Sequence, residues 1–424
     1  MKKKEFARPF LIAFFFLFSA LPVEAAPFLT LDKAIERALL VHPDAAVSEA
    51  QLRNSVLDVS EAKSQRVQLT GDLSTSERYA QAASTPVSDR LVSNATLGLT
   101  IPLYTGFRLQ KGVLAAEKGE EEARAQLAVT RADIASQTAA LFWGLYLQEG
   151  REAIQGAAIQ QAARTLELTR TGFRLGRFAS NEVDRAEVNW LNAQSELLGL
   201  QTQTRQARAK LATQLALPGE GLAIDGKASM IFLPFLTEKE APAVRAARAH
   251  LASAQAQLGA AQGELLPQLS LASSYQYGNN PFDPALGARG LNASFSGNWD
   301  LRLSLSYNFL DGGKLSRKVQ RSQEDLRIAE ARREKAGRDA LSGIEQARIR
   351  LNGANDRMLF TEKGSALAER TLKWVETRFR QGYSLQVEVN DARTSWLIAK
   401  NQQLQALVDY QIARADLAKA LGLL

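Results

Sequence analysis

The sequence contains an internal duplication, which limits the folds that this chain can adopt. Leu97–Gly106 resembles Leu303–Gly312, and 206 residues separate Leu103 from Phe309. The same spacing joins the two tryptophans Trp190/Trp396 and the pairs Phe173/Phe379, Gly176/Gly382, Glu182/Glu388, Ala186/Ala392 and Leu211/Leu417. Upstream the offset is near 200, pairing Gln68 with Gln268. A constant offset of this extent predicts two structural repeats that share one architecture.

The repeats predict how the chain is divided. Residues 26–217 form the first repeat, residues 242–424 the second, and the proline-containing residues 218–241 a linker. Residues 1–25 read as a signal peptide with a basic start, twelve apolar residues and a small-x-small cleavage site. Twelve residues are short for a membrane span, which needs about 20. We therefore expect cleavage after Ala25 and export.

Each repeat contains two segments in which apolar and polar residues alternate. They predict strands near residues 68–79 and 93–104, and near residues 268–278 and 298–310. Alternation over about ten residues with aromatic residues at the ends is typical of a membrane β-strand. A soluble antiparallel sheet with one wet face gives the same alternation, so the pattern leaves both open.

The rest of each repeat has the pattern of helices. Helical stretches from Leu31 to about Ser64 and from Ala243 to Leu265 precede the strands. Gly106 to about Phe173 holds no proline and predicts a helix of about 100 Å, at 1.5 Å per residue. Glycines 176 and 382 are predicted to end the long helices. A seven-residue ladder predicts coiled-coil packing of the returning helix: Ala392, Ala399, Ala406, Ala413 and Ala420.

Composition argues against several functional classes. The chain has no cysteine, two histidines and no complete phosphate-loop motif; Gly312-Gly313-Lys314 lacks the first glycine of that motif. The net charge of +7 includes no basic patch with interleaved aromatic residues, so we expect no nucleic-acid partner. We also expect no enzymatic activity, no cofactor and no metal site.

The strand count predicts an oligomer if the strands lie in a membrane. Single-chain bacterial barrels start at about eight strands, and lipid does not tolerate open sheet edges. Three chains would supply twelve strands, while two or four chains also satisfy the arithmetic. Polar helices of about 100 Å must project into water. The pattern therefore predicts a pore with a stalk.

Several motifs, taken in order, resemble the TolC family of outer-membrane efflux proteins: Pro102–Phe107, Glu388–Ala392 and Leu417–Gly422. The similarity extends from Leu31 to Leu424. It implies a mainly α chain with a small membrane β-barrel, completed as 12 strands in a homotrimer above an α-helical coiled-coil tunnel in the periplasm. It also implies passive exit, in drug efflux or type I secretion, for substrates that an inner-membrane transporter delivers through a periplasmic adaptor. Outer-membrane lipid would surround the barrel.

The resemblance assigns a periplasmic gate. An acidic ring matches Glu388 and Asp391, which are spaced i,i+3 on one helix face. Stabilisation of a helix N-terminus would explain the same two carboxylates. Residues that lock the closed gate match Glu182, Arg185, Phe379 and Ser384. Phe379 and Ser384 depart from the tyrosine and arginine common at those positions.

The resemblance also assigns adaptor contact to two turns: Leu175, Gly176 and Arg177, and Gln381, Gly382 and Tyr383. Helix capping alone would explain both glycines. Two alternative functions are a periplasmic adaptor, which normally has one hairpin, and a coiled-coil scaffold without a pore. The sequence does not identify the substrate, although the lack of methionine and histidine clusters argues against a dedicated copper or silver route.

Overall fold

A computed structural model describes residues 29–82, 85–218, 222–225, 240–279 and 295–423 of the chain. Helices dominate these ranges and accompany one small antiparallel sheet. The elements follow in the order α1 (Leu31–Val41), α2 (Pro43–Ser64), β1 (Gln68–Ala82), β2 (Thr85–Tyr104), α3 (Arg108–Arg174), α4 (Ser180–Gln214), α5 (Pro242–Gly263), β3 (Gln268–Asn279), β4 (Phe295–Ser306), α6 (Lys314–Arg380) and α7 (Gln386–Ala420). The predicted signal peptide and most of the predicted linker lie outside the described residues.

The predicted duplication is confirmed in the helices. Helices α3 and α6 each have 67 residues, and α4 and α7 each have 35. Every bound in the second pair lies 206 residues after its counterpart in the first. Helices α2 and α5 match as well, with 22 residues each. At 1.5 Å per residue, α3 and α6 are each about 100 Å long.

The long helices end where a glycine adopts the left-handed conformation. Gly176 has φ 70° and Gly382 has φ 82°. After α3, the Arg177 amide donates to the Gly172 carbonyl at 2.8 Å, and the Gly176 amide donates to Phe173 at 2.9 Å. These bonds satisfy carbonyls that the helix end leaves free, and a side chain at either glycine would be strained. Each long helix can therefore turn back into a shorter one.

One predicted helical stretch is two helices. Residues from Leu31 to Ser64 were expected to be continuous, but α1 ends at Val41 and α2 begins at Pro43. A proline disfavours the helical conformation in the residue before it, and His42 is accordingly extended at φ −71° and ψ 129°. Proline is well suited to the first helical position, and α5 likewise begins at Pro242.

The four strands form one antiparallel sheet in the order β1-β2-β3-β4. The predicted strand near residues 298–310 is too long at its end, because β4 stops at Ser306 and Asp311 already caps α6. The first hairpin is longer than predicted, since pairing continues to Ala82 and Thr85.

The register places apolar side chains of all four strands on one face of the sheet. Leu69 pairs with Leu99, Ile101 with Leu271, and Leu271 with Leu303. The opposite face carries polar residues such as Thr70, Ser270 and Ser304.

This apolar face is open. Among its side chains, the exposed fraction is 83% for Leu73, 64% for Trp299 and 72% for Leu305. A soluble sheet would bury its apolar face against a core and wet its polar face. Here no described helix packs on the sheet, and the apolar face is exposed along with the polar one. An apolar face without a core beside it favours the membrane alternative that the sequence left open.

The helices pack around α3, which contacts α1, α2, α4, α5 and α7, while α6 contacts α5 and α7. The largest core cluster surrounds Phe142 and Trp143 and includes Leu31, Leu211 and Leu215. Three alanines of the seven-residue ladder are buried in the packing of α7: Ala392, Ala406 and Ala413. Among the described helices, not one combines the length and apolar character that a membrane span requires.

Candidate functional site at the hairpin tips

The two helical hairpins, α3–α4 and α6–α7, are joined at their tips by an aromatic stack. Phe178, in the turn after α3, lies parallel to Phe379 near the end of α6, with 5.6 Å between ring centroids and 8° between planes. Phe379 is 5% exposed and belongs to a cluster with Leu372, Val389 and Trp396. The rings can meet because Gly172 lacks a side chain: a Cβ there would lie 2.2 Å from the Phe178 ring.

A second link joins the first turns of α4 and α7. In the amide orientation that satisfies both of its polar atoms, Gln386 donates to Oε2 of Glu182 at 2.5 Å and to the Glu182 carbonyl at 3.1 Å. Gln386 is buried, so this amide is shielded from competing water. Glu182, predicted to take part in gate locking, thus lies at a contact between the hairpins.

A third link is a buried arginine that crosses from α7 to α3. Arg393 donates to Thr165 Oγ1 at 2.6 Å and to the Gln161 carbonyl at 3.3 Å. Burial lowers the pKa of its guanidinium, and the nearby Glu376 carboxylate opposes that change. A buried guanidinium bonded to neutral acceptors loses much of its hydration, so it fixes the geometry of the contact more than it stabilises it.

The structure separates the four predicted locking residues. Phe379 and Glu182 lie between the hairpins. Ser384 instead donates to Oε2 of Glu388 within its own hairpin. Arg185 is exposed and has no hydrogen-bond or ion-pair partner in the described part of the chain. The gate-locking role of all four stays a prediction.

The acidic residues of the predicted ring lie at the start of α7. Glu388 also accepts from the Leu385 amide at 3.3 Å and so caps the helix. The Ser384 hydroxyl, the Leu385 amide and the Arg378 guanidinium hold the pKa of Glu388 below its usual range. Asp391 is exposed one turn later. Capping therefore accounts for Glu388 in one chain, and a ring would require other copies.

Both turns present exposed side chains at the tips. Leu175 is 66% exposed and Tyr383 is 73% exposed; Gly176, Arg177, Gln381 and Gly382 are also exposed. The guanidinium of Arg378 lies 4.8 Å from the centroid of the Trp374 ring and donates to the Tyr383 carbonyl at 3.2 Å. This bond fixes the second turn. Among the described residues, no cluster of histidine, aspartate and glutamate has the composition of a metal site.

Sequence reasoning missed Phe178, Gln386 and Arg393, although a signal was present. Their counterparts 206 residues away are Ser384, Ser180 and Glu187. Each link therefore uses a residue that differs between the two repeats. In this chain, positions at which the repeats disagree therefore mark one side of each contact between the hairpins.

Comparison with known proteins gives a consistent result. A sequence model of the family described as "Outer membrane efflux protein" matches residues 34–217 and 233–423. Nodulation protein T of Rhizobium leguminosarum bv. trifolii is 22% identical over 282 residues, covering 64% of this chain and 59% of that protein. Outer membrane protein TolC of Escherichia coli K12 is 25% identical over 291 residues, covering 66% of this chain and 57% of TolC. The chain thus spans little more than half the length of these relatives.

A solved structure shows the same fold over nearly the whole chain. The outer membrane protein VceC from Vibrio cholerae superposes with a TM-score of 0.80 at 20% identity, covering 92% of this chain and 96% of VceC.

Proposed function

The chain belongs to the outer membrane efflux protein family, and we propose that it acts as a channel-tunnel in the outer membrane. Substrates leave through it passively, after an inner-membrane pump has delivered them through a periplasmic adaptor. The pump supplies the energy, and the duct carries out no chemical step. Drug efflux and type I secretion are both compatible with such a duct.

The observation that carries this proposal is the open apolar face of the sheet. Strands β3 and β4 have 12 residues each, close to the roughly 9–11 residues that a tilted strand needs to cross a bilayer. β1 and β4 lie at the two edges of the sheet. Unpaired backbone groups are costly in lipid, so β4 of one copy pairs with β1 of the next. Three copies then close a barrel of about twelve strands.

Exposed apolar stripes on the helices support the same assembly. On α6, three side chains spaced seven residues apart are more than half exposed: Phe360, Leu367 and Trp374. On α4, Val188, Leu191 and Leu198 form a second exposed apolar stripe, with spacings of three and seven residues. Seven-residue spacing is typical of a coiled-coil seam, and neither stripe is covered in the single chain. In the proposed trimer, α4 of one copy covers α6 of its neighbour.

The hairpin tips form the proposed gate. Closed hairpins are held together in each copy by the Phe178–Phe379 stack, by Gln386 with Glu182, and by Arg393. Glu388 and Asp391 of three copies surround the axis and favour cations, because like carboxylates near one another attract positive ions. Adaptor contact involves the exposed turns around Gly176 and Gly382.

The two alternatives do not account for these observations. Neither a periplasmic adaptor nor a scaffold without a pore requires a sheet whose apolar face is exposed. Membership of the family extends across both repeats, whereas an adaptor normally has one hairpin.

The test is single-channel recording of the purified protein in planar bilayers. We expect small cation-selective openings that lose selectivity in Glu388→Gln/Asp391→Asn. A matched control, Asp356→Asn/Glu362→Gln, removes two exposed carboxylates from α6 well above the turn and should leave selectivity unchanged. Openings whose cation selectivity is unchanged by Glu388→Gln/Asp391→Asn would refute the acidic gate. A monomeric protein that stays in solution without detergent and conducts nothing would refute the duct.

A further inference from the structure

The junctions between strands and long helices combine two features that the proposed channel leaves unexplained. The first is a collar of exposed apolar residues at the helix-proximal end of the sheet. Phe309 is 89% exposed and Leu310 is 95% exposed, in the connection between β4 and α6. Leu103, Tyr104 and Phe107 lie at the equivalent junction of the first repeat and are 53%, 40% and 58% exposed.

The second feature is a basic collar directly beyond the apolar one. Lys314, Arg317, Lys318 and Arg321 are exposed and lie on one face of the first turns of α6, since they are spaced i, i+3, i+4 and i+7. In the first repeat, Arg108 and Lys111 occupy the positions equivalent to Lys314 and Arg317.

Helix stability does not explain the basic collar. The first turn of a helix favours acidic residues, because the amide dipoles place partial positive charge there. Neither α3 nor α6 has an acidic residue in its first turn. Both repeats therefore place cations where the local backbone field disfavours them.

The carboxylates that flank the start of α6 do not neutralise the collar. Glu264 is bonded to Lys318, at 2.6 Å and 2.7 Å from its two oxygens. Asp311 accepts from the backbone amides of Gly313 and Leu315. Lys314, Arg317 and Arg321 have no ion-pair partner among the residues that the structure describes.

We propose that the basic collar is a docking surface for the anionic phospholipid headgroups of the periplasmic leaflet. The inference rests on the proposed function, because it requires the apolar face of the sheet to lie in lipid. The aromatic rings of the apolar collar then lie at the level of the headgroups, which is where such rings prefer to lie. The basic side chains extend from it toward the phosphates, and their aliphatic parts cover the apolar collar. In three copies they would encircle the base of the barrel.

The test measures which lipid contacts the collar. A reporter tryptophan is introduced as Phe309→Trp in a Trp299→Phe background, and the full-length protein is reconstituted in vesicles of equal phosphatidylglycerol and phosphatidylcholine. One lipid at a time carries brominated chains, which quench a nearby tryptophan. The remaining tryptophans lie on α3, α4, α6 and α7, and Trp143 is 35 residues into α3, about 50 Å from the sheet. They contribute an unquenched background.

We expect the brominated phosphatidylglycerol to be preferred by at least about threefold at the reporter. The preference should fall to near onefold in Lys314→Gln/Arg317→Gln/Arg321→Gln, and also in 1 M salt, where the screening length is only about 3 Å. The matched control, Arg332→Gln/Arg333→Gln/Lys335→Gln, removes the same charge from exposed positions further along α6 and should keep the preference. Lys318 is left in place because it binds Glu264.

The outcomes separate this inference from the proposed function. Equal quenching by both brominated lipids, or a preference that persists in the triple collar variant, would overturn the headgroup surface while leaving the sheet in lipid. Quenching of Trp299 in the unmodified protein without quenching at position 309 would show that another copy covers the collar. Absence of quenching at both positions would instead remove the sheet from the membrane, and the channel proposal would fail with it.

Discussion

The aromatic stack between the hairpins gives the sharpest prediction about opening. If the gate opens by separating the tips of α3–α4 and α6–α7, opening breaks the Phe178–Phe379 contact. Phe178→Ala removes that contact in every copy. Phe178 is half-buried, so we expect it to lose about half of the 3–5 kcal/mol typical of a buried phenylalanine. The stack itself accounts for about 0.5–1.5 kcal/mol of an aromatic pair.

A loss of about 2 kcal/mol in the closed state changes the ratio of closed to open tips roughly 30-fold in each copy, since 1.4 kcal/mol is a factor of ten. Single-channel recording should show larger or longer openings for Phe178→Ala. Phe178→Leu keeps apolar volume against Gly172 and should show a smaller effect. Thermal denaturation of the same samples should show that the channel remains assembled.

Phe173→Ala is the matched control. Phe173 lies next to the same turn and is the repeat counterpart of Phe379, but it is 48% exposed and lies outside the cluster that contains Phe379. The Phe173→Ala protein should show openings no larger or longer than those of the parent protein. Equal openings in Phe178→Ala and the parent would refute the argument that the stack holds the gate, and so would an equal effect of Phe173→Ala.

Three further predictions concern titration and assembly. Glu369 accepts from Lys373 at 2.8 Å and from Lys400 at 3.0 Å, which lowers its pKa to about 2. Glu369→Gln should lower the free energy of unfolding at pH 7 by about 1 kcal/mol or less. The difference between variant and parent should vanish as the pH falls through 2, where the native carboxylate is protonated. Ser384→Ala should raise the pKa of Glu388, so that reversal potentials lose cation selectivity at a higher pH than in the parent. Leu367→Lys should place a charge in the α6 stripe and shift cross-linked protein from trimer to monomer, whereas Glu362→Lys, off the stripe, should not.

Helix bounds were predictable from the sequence because they depend on local signals that the chain repeats. Gly176 and Gly382 end α3 and α6, and the absence of proline allows the long helices to continue. The break at His42 was also encoded, since Pro43 determines it, yet the surrounding apolar pattern concealed it. The end of β4 at Ser306 was less accessible, because alternation continues through Tyr307 and Phe309 after pairing has stopped.

The site was predictable only in part, because its contacts join residues distant in sequence. Family resemblance indicated Glu182 and Phe379, but their partners Gln386 and Phe178 come from the other hairpin. Local capping explains Glu388 without any neighbour, as the Leu385 and Ser384 bonds show. The environment of the sheet was ambiguous for a similar reason: alternation identifies an apolar and a polar face, while only the three-dimensional structure shows that, among the described residues, no core packs on the apolar face.

The equal lengths of the two hairpins have a consequence for how such a chain can change size. In each hairpin the first helix has 67 residues and the second has 35. The two tips therefore lie at the same level, and Phe178 contacts Phe379. Seven extra residues in α3 alone would displace one tip by about 10 Å and separate the rings. The span of the proposed duct can therefore be lengthened or shortened only by matched heptads in α3, α4, α6 and α7. Natural insertions and deletions in these helices should accordingly occur in register in both halves of the gene.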